Sequence, residues 1–276
     1  MTTKLKVPVL VYHHVLPANA KVDESILNSP FTISDSEFYK QMLFLSQSGY
    51  KAIHLNQLLT ATKEKPQTKF DHNKPIVITF DDGWIDNYEY AVPILKSFNF
   101  SATFFVITSY VDSAGCMSVA QLLEIQQAGM KIESHAHTHT PLELLSNSEM
   151  QWELTHSKNL LEEHLEKNVA FISFPHGSYN KKVLEAAKNA GYLGCGTSNF
   201  GYATSSSKNY QLPRILIRKN CHISEFAKIS EGSKWTFIKG KLIQNSKNLI
   251  KNTIGIERYQ NLYSVRNRLK RAGQFD

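Results

Sequence analysis

Pro75-Ile76-Val77-Ile78-Thr79-Phe80-Asp81-Asp82-Gly83-Trp84 is an apolar, β-branched run that ends on two adjacent carboxylates and a glycine. Such a run reads as a buried strand, and it delivers Asp81 and Asp82 into a turn. Neighbouring side chains of an extended segment point to opposite sides. One carboxylate is therefore expected to take a metal while the other stays free as a general base. The same residues also read as an aspartate turn that merely closes a strand.

Fifty residues on, Lys131-Ile132-Glu133-Ser134-His135-Ala136-His137-Thr138-His139 follows a second short apolar stretch with three histidines in five positions. The spacing of four predicts that His135 and His139 share one face of a helical turn and converge on one ion, with His137 pointing elsewhere. Taken singly, each histidine reads as a satisfied core or surface residue. Two imidazoles and one carboxylate, with positions left for water, match a catalytic metal centre better than a structural one.

The rest of the chain alternates strand and helix signals. Strands are predicted at Val7–Tyr12, Ile76–Phe80, Ala102–Thr108, Lys131–Ser134, Ala170–Phe174, Gly194–Thr197 and Leu212–Ile217. Helices are predicted from Ser36 to near Gly49, from Asn87 to Phe98 despite Pro93, and from Ser118 to Ala128. A long one runs from Ser146 to Lys167 with Leu154, Leu161 and Leu165 inward, and a shorter one from Lys181 to Ala190. Alternation of this kind predicts an α/β fold with a parallel sheet, and 276 residues suffice for one such domain.

The motifs resemble those of the polysaccharide deacetylases, the NodB-homology group or carbohydrate esterase family four. Thr79-Phe80-Asp81-Asp82-Gly83 and Ser134 through His139 are similar to its first two motifs. Phe174-Pro175-His176-Gly177-Ser178-Tyr179-Asn180 is similar to the third, usually Tyr-Pro-Tyr-Gly in this branch, and Gln211-Leu212-Pro213-Arg214-Ile215 to a later one. Val7-Pro8-Val9-Leu10-Val11-Tyr12-His13-His14-Val15 resembles the opening of the poly-N-acetylglucosamine deacetylase branch. The resemblance implies a distorted (β/α) barrel of about seven strands with its site at the C-terminal strand ends.

It also implies roles. Asp82, His135 and His139 would hold a divalent ion, zinc or else cobalt, nickel or iron. Asp81 would be the general base toward the attacking water, and His13 the general acid toward the leaving amine, with His14 as its rival. Backbone N–H groups near His176 or Asn180, on the turn with Pro175 and Gly177, would help hold the oxyanion. The chain departs from the usual pattern in three places. Ala136 stands where a hydroxyl residue is common, so that hydrogen bond is either absent or supplied by Thr138, and His176 replaces a tyrosine. Ser173 and Phe174 stand where an arginine often orients the catalytic aspartate; Arg214 is either its substitute or an ordinary surface or strand-end arginine.

His54, His72, His156, His164 and His222 have no partner at ligand spacing. Cys116, Cys195 and Cys221 form no Cys-x-x-Cys pair, and their odd number argues against a disulfide framework. Reduced thiols, a Met1–Lys6 start without a signal-peptide pattern and no stretch of transmembrane length lead to the expectation of a cytoplasmic protein.

Charge is concentrated at one end. Ten lysines or arginines against three acids give residues 231–276 a formal +7, the whole net charge of the chain. This predicts a deacetylase domain over 1–230 and a basic amphipathic tail over 231–276, frayed from Arg266. Trp235, Ile238, Leu242 and Leu249 recur there at helical intervals, with Lys234, Lys239, Lys241, Lys247 and Lys251 between them. The tail reads as an anionic-membrane contact at the inner face of the membrane or as a helix packed on the barrel, with nucleic acid the weaker alternative. The expected substrate is an N-acetylhexosamine glycan, lipid-linked or membrane-adjacent, such as a surface-polysaccharide or lipopolysaccharide-core intermediate. The alternatives are hydrolysis of another non-peptide amide, or a degenerate glycan-binding module.

Overall fold

Residues 6–63, 74–255 and 258 are described by a computed structural model of the chain. The expectations for the Met1–Lys6 start (apart from Lys6), for His72 and for the end from Arg266 to Asp276 fall outside those residues. The strands are β1 (Val9–Tyr12), β2 (His14–Leu16), β3 (Thr32–Ser34), β4 (Tyr50–Ala52), β5 (Lys74–Phe80), β6 (Thr103–Val106), β7 (Lys131–Ser134), β8 (Phe171–Ser173), β9 (Gly194–Gly196) and β10 (Ile215–Leu216). The helices are α1 (Glu24–Leu27), α2 (Asp35–Gln47), α3 (Leu55–Lys63), α4 (Val92–Ser97), α5 (Val119–Gln127), α6 (Asn147–Leu165), α7 (Lys181–Asn189), α8 (Ile223–Ser230) and α9 (Lys234–Ile254).

Among the described residues, seven strands form a parallel path in the order β10-β1-β5-β6-β7-β8-β9. These are the seven strands read from the sequence. An isolated parallel bridge between Gly196 and Leu212 ties β9 to the segment that leads into β10, so the sheet curls into a distorted barrel. The short β4 adds to the start of β5, and β2 pairs with β3 outside the barrel path. These three strands were not predicted, because three residues are too few to show a period.

The side-chain period of two divides the core. Ile78, Phe80, Phe104 and Ile172 pack with Phe38, Met42, Leu95, Leu122 and Leu154 from the surrounding helices. Val9, Val77, Phe105 and Phe171 join a second cluster with Leu55, Leu58 and Leu212 on the other side of the sheet, the barrel interior. Continuing that parity to the C-terminal strand ends puts His13, Asp81, His135 and Ser173 on the interior side as well.

Helix starts follow capping chemistry. Ser118 and Ser146 each form a reciprocal capping box, with Gln121 and with Glu149. Ser34 caps α2, and Asn180 caps α7 by accepting the Val183 N–H. The predicted helix over Asn87–Phe98 begins as a π-helical turn, Asn87–Ala91, before α4. Pro93 sits at the start of α4, directly after the π-helical turn. Leu154, Leu161 and Leu165 of α6 are buried as expected. The three cysteines are buried and free.

Candidate metal centre

Asp82, His135 and His139 present ligand atoms that all lie within 4.8 Å of one another. The Nε2 atoms of both histidines face the same oxygen, Asp82 Oδ1, at 3.4 and 3.6 Å. The second polar atoms of His135 and Asp82 are occupied. His135 Nδ1 lies 2.8 Å from the Ser173 carbonyl, which can only accept, so Nδ1 carries the proton and Nε2 keeps its lone pair outward. Trp84 Nε1 donates to Asp82 Oδ2 at 3.0 Å and leaves Oδ1 to the site.

The histidines do not converge through a helical turn, contrary to the expectation from their spacing. Residues 135–139 form an irregular loop in which Ala136 and His139 have φ of 63° and 62°. Asp82 has φ 80° and Gly83 φ 88°. Left-handed backbone at three non-glycine residues around one point marks a constrained functional loop. At Gly83 a side chain would be strained by φ, and its Cβ would come within 3.1 Å of Val106 Cγ1.

The loop is fastened by Glu153, a residue missed in the sequence. Its Oε2 accepts the backbone N–H groups of His137 and Thr138 at 2.8 and 2.9 Å, and its Oε1 accepts the Thr138 hydroxyl. Thr138 thus serves Glu153 rather than replacing the hydroxyl absent at Ala136. The signal in the sequence was an acid on the inner stripe of α6, one position before Leu154. His137 points away from the centre, as expected: its Nδ1 meets Thr108 Oγ1 at 2.8 Å and its ring meets Trp152 and His156.

Asp81 leaves the strand on the interior side and is 4% exposed. Arg214 Nη1 donates to its Oδ1 and Nη2 to its Oδ2, both at 2.8 Å, and Ser173 Oγ donates to Oδ2 at 3.1 Å. Burial alone would raise the Asp81 carboxyl, but the guanidinium outweighs it and holds the group below the usual carboxylate value. Of the two sequence readings of Arg214, the surface arginine is excluded, because the residue is 3% exposed with its guanidinium 5.4 Å from the centre of the Phe105 ring.

His13 and His14 have different surroundings. Burial pulls the His13 imidazole below its ordinary value, against the charges of Asp82 and Asp81, and its buried Nδ1 has no hydrogen-bond partner among the described residues. His14 Nδ1 is held by Asp86 Oδ2 at 2.6 Å, and its ring stacks on Trp84 at 4.7 Å. Asp86 and Trp84, also missed in the sequence, thereby link His14 to Asp82 through the indole. Pro175, His176 and Gly177 form a short 3-10 turn in which His176 has φ 56°. The His176 ring lies 4.5 Å from that of His139. The Asn180 side chain is committed to capping α7.

Electrostatics leave a site ready for a cation. Asp82 is buried, which would raise its carboxyl, but His135, His13 and His139 hold it far below the usual range. His139 is pushed down to about 3, by burial first and by His135 next. Burial would also lower His135, but Asp81 and Asp82 win and raise it. The ionised carboxylate and the neutral His139 imidazole are donor states that a divalent ion needs, and His135 would release its Nε2 proton to such an ion on binding.

Comparison with known proteins points the same way. A profile of the family "Polysaccharide deacetylase" matches residues 69–194, a span that contains Asp81, Asp82, His135 and His139 but neither His13 nor Arg214. Over 229 residues the chain is 31% identical to "Putative polysaccharide deacetylase YxkH" of Bacillus subtilis, covering 83% of this chain and 77% of that protein. It is 28% identical over 201 residues to the poly-beta-1,6-N-acetyl-D-glucosamine N-deacetylase of Staphylococcus epidermidis, covering 68% of each. Among solved structures, the Streptococcus pyogenes deacetylase PplD, in complex with acetate, superposes with a TM-score of 0.75 at 29% identity, over 83% of this chain and 99% of that one.

Proposed function

The chain belongs to the polysaccharide deacetylase family, and on that premise we propose that it removes N-acetyl groups from an N-acetylhexosamine-containing glycan and releases acetate. Asp82, His135 and His139 are the residues to hold a divalent ion, with zinc first and cobalt, nickel or iron suited to the same donors. Bound there, such an ion supplies a Lewis acid for the amide carbonyl and a water of lowered pKa.

The chain's own residues supply the remaining steps. Asp81 takes the proton of the attacking water. Its Oδ2 already accepts from Arg214 and Ser173, whereas Oδ1, among the described residues, accepts only from Arg214 and retains an acceptor position for that proton. The guanidinium keeps the carboxylate ionised and fixes its orientation. His13, on the same side of the sheet, gives a proton to the departing amine, while His14, tied to Asp86, supports Trp84 and through it Asp82. The turn of Pro175, His176 and Gly177 forms the rim beside His139.

The observation that carries this reading is the meeting of a His-His-Asp donor set with a second, arginine-held carboxylate at one strand end. The N-acetylglucosamine polymer named for the staphylococcal relative makes β-1,6-linked N-acetylglucosamine oligomers the first substrate to try. A lipid-linked or membrane-adjacent glycan is the second. The test is metal analysis of the purified protein followed by acetate release from a panel of N-acetylated glycans and other amides. Metal-dependent acetate release from a glycan is the expected result; turnover of a non-glycan amide only, or glycan binding without release, would overturn it.

A further inference from the structure

Helix α9 turns its apolar stripe away from the barrel. Trp235, Ile238, Leu242 and Leu249 share one face by their spacing, and they are 81, 48, 62 and 69% exposed. Among the described residues, seven of the thirteen large apolar side chains left exposed lie on this one helix, so the exposure is concentrated rather than scattered. An ordinary surface helix does the reverse and directs such a stripe at the core.

The opposite, more polar face does the packing. A Cβ on Gly240 would lie 2.3 Å from Phe200 Cε1, so the helix backbone rests directly on that ring. Gln244 accepts the Phe200 backbone N–H and donates to Asn199 Oδ1, and Phe237, at the edge of this face, stands 6.2 Å from the Tyr202 ring. The seat is therefore specific, and the outward direction of the stripe is set by it. Helix α9 thus touches the barrel through Gly240, Gln244 and Phe237, while the Trp235–Leu249 stripe faces solvent.

A contiguous exposed apolar stripe marks an interaction surface, and charge selects among occupants. Every charged residue of α9 is a lysine. A second copy of the same face would bring like charges together, whereas a layer of anionic headgroups would neutralise them. No described helix is long and apolar enough to cross a membrane; the composition instead suits a helix lying in the interface plane. We propose that the outer face of α9 docks this protein on an anionic phospholipid bilayer, with the Trp235–Leu249 stripe at the acyl boundary and the exposed Lys234 and Lys239 among the headgroups.

The proposal concerns where the molecule sits and does not depend on the reaction it catalyses.

The test is flotation of the full chain with vesicles of phosphatidylglycerol and phosphatidylcholine, alongside vesicles of phosphatidylcholine alone. The expected result is binding to the anionic vesicles, weakened by salt, at least about tenfold weaker on neutral ones, with Trp235 emission quenched by brominated lipid. Leu242→Glu with Leu249→Glu should reduce binding at least about tenfold with an unchanged melting temperature, since both side chains face solvent. The exposed pair Lys234→Glu and Lys239→Glu tests the charge contribution separately. The proposal is overturned by absent binding to anionic vesicles, by equal binding to neutral ones, or by binding indifferent to the leucine pair. It is equally overturned by light scattering that shows a dimer dissociated by those variants, which would make a second copy the occupant.

Discussion

Arg214 grips both carboxylate oxygens of Asp81 at 2.8 Å across 133 residues of sequence. The approach requires a glycine on the neighbouring strand, because a Cβ at Gly196 would sit 3.0 Å from Arg214 Nε. Arg214 Nη2 also donates to Ser173 Oγ at 2.7 Å and Nε to the Thr197 carbonyl at 3.0 Å, so most of the fork is occupied by fixed acceptors. A planar, bidentate donor fixes the direction of the carboxylate as well as its charge.

Arg214→Met should abolish turnover and destabilise the fold by about 3–5 kcal/mol, since it strands a buried carboxylate. Arg214→Lys keeps the charge but not the fork, and should lose rate with a smaller loss of stability. Denaturant unfolding and acetate release measured on the same preparations check both. Recovery of stability without recovery of rate in Arg214→Met combined with Asp81→Asn would separate the two effects.

The two adjacent aspartates should fail differently. Asp82→Ala, His135→Ala and His139→Ala should each deplete bound metal together with activity, because one of three protein ligands is gone. Asp81→Asn should keep its metal and lose about 10²-fold or more in rate. Metal content by mass spectrometry, beside kcat, distinguishes these outcomes; full metal in all three ligand variants would end the assignment.

Glu153→Leu should loosen the histidine loop without touching a ligand. Losing the acceptor for His137 and Thr138 should weaken metal binding by about 10–100-fold, the usual scale for partners behind the ligands. Chelator competition measures it, and excess metal in the assay should restore much of the rate. Unchanged affinity would reduce Glu153 to a packing residue.

Glu133 gives a pH-dependent stability term. Burial pushes its carboxyl up to about 8, against the N–H groups of Phe171 and Ala170 that its Oε2 accepts. A carboxyl raised in the folded state keeps its proton while the unfolded chain has lost it, so its contribution falls as pH rises from about 4.5 to 8 and is level outside that window. Glu133→Gln should therefore melt near wild type at pH 4 and progressively above it toward pH 8. Melting curves across that range check the sign.

The seven strands and a donor set of His135, His139 and one of two adjacent aspartates were legible in the sequence from local rules: β-branched runs, side chains alternating along a strand, and donor types that suit one ion. The choice of Asp82 over Asp81 as the ligand was implied only by the family resemblance. What joins distant segments was not legible. The partnership of Arg214 with Asp81, the hold of Glu153 on the histidine loop and the His14–Asp86 bond depend on which segments the barrel brings together. The route by which His135 and His139 meet was misread for a related reason, since spacing of four describes a helix and says nothing of a loop with left-handed residues at 136 and 139. In α9 the sequence determined that an apolar stripe and a row of lysines exist on one helix. Only the tertiary structure decided that the stripe faces outward, because periodicity defines a face without naming what it meets, and the seat of Gly240 on Phe200 turns that face to the solvent.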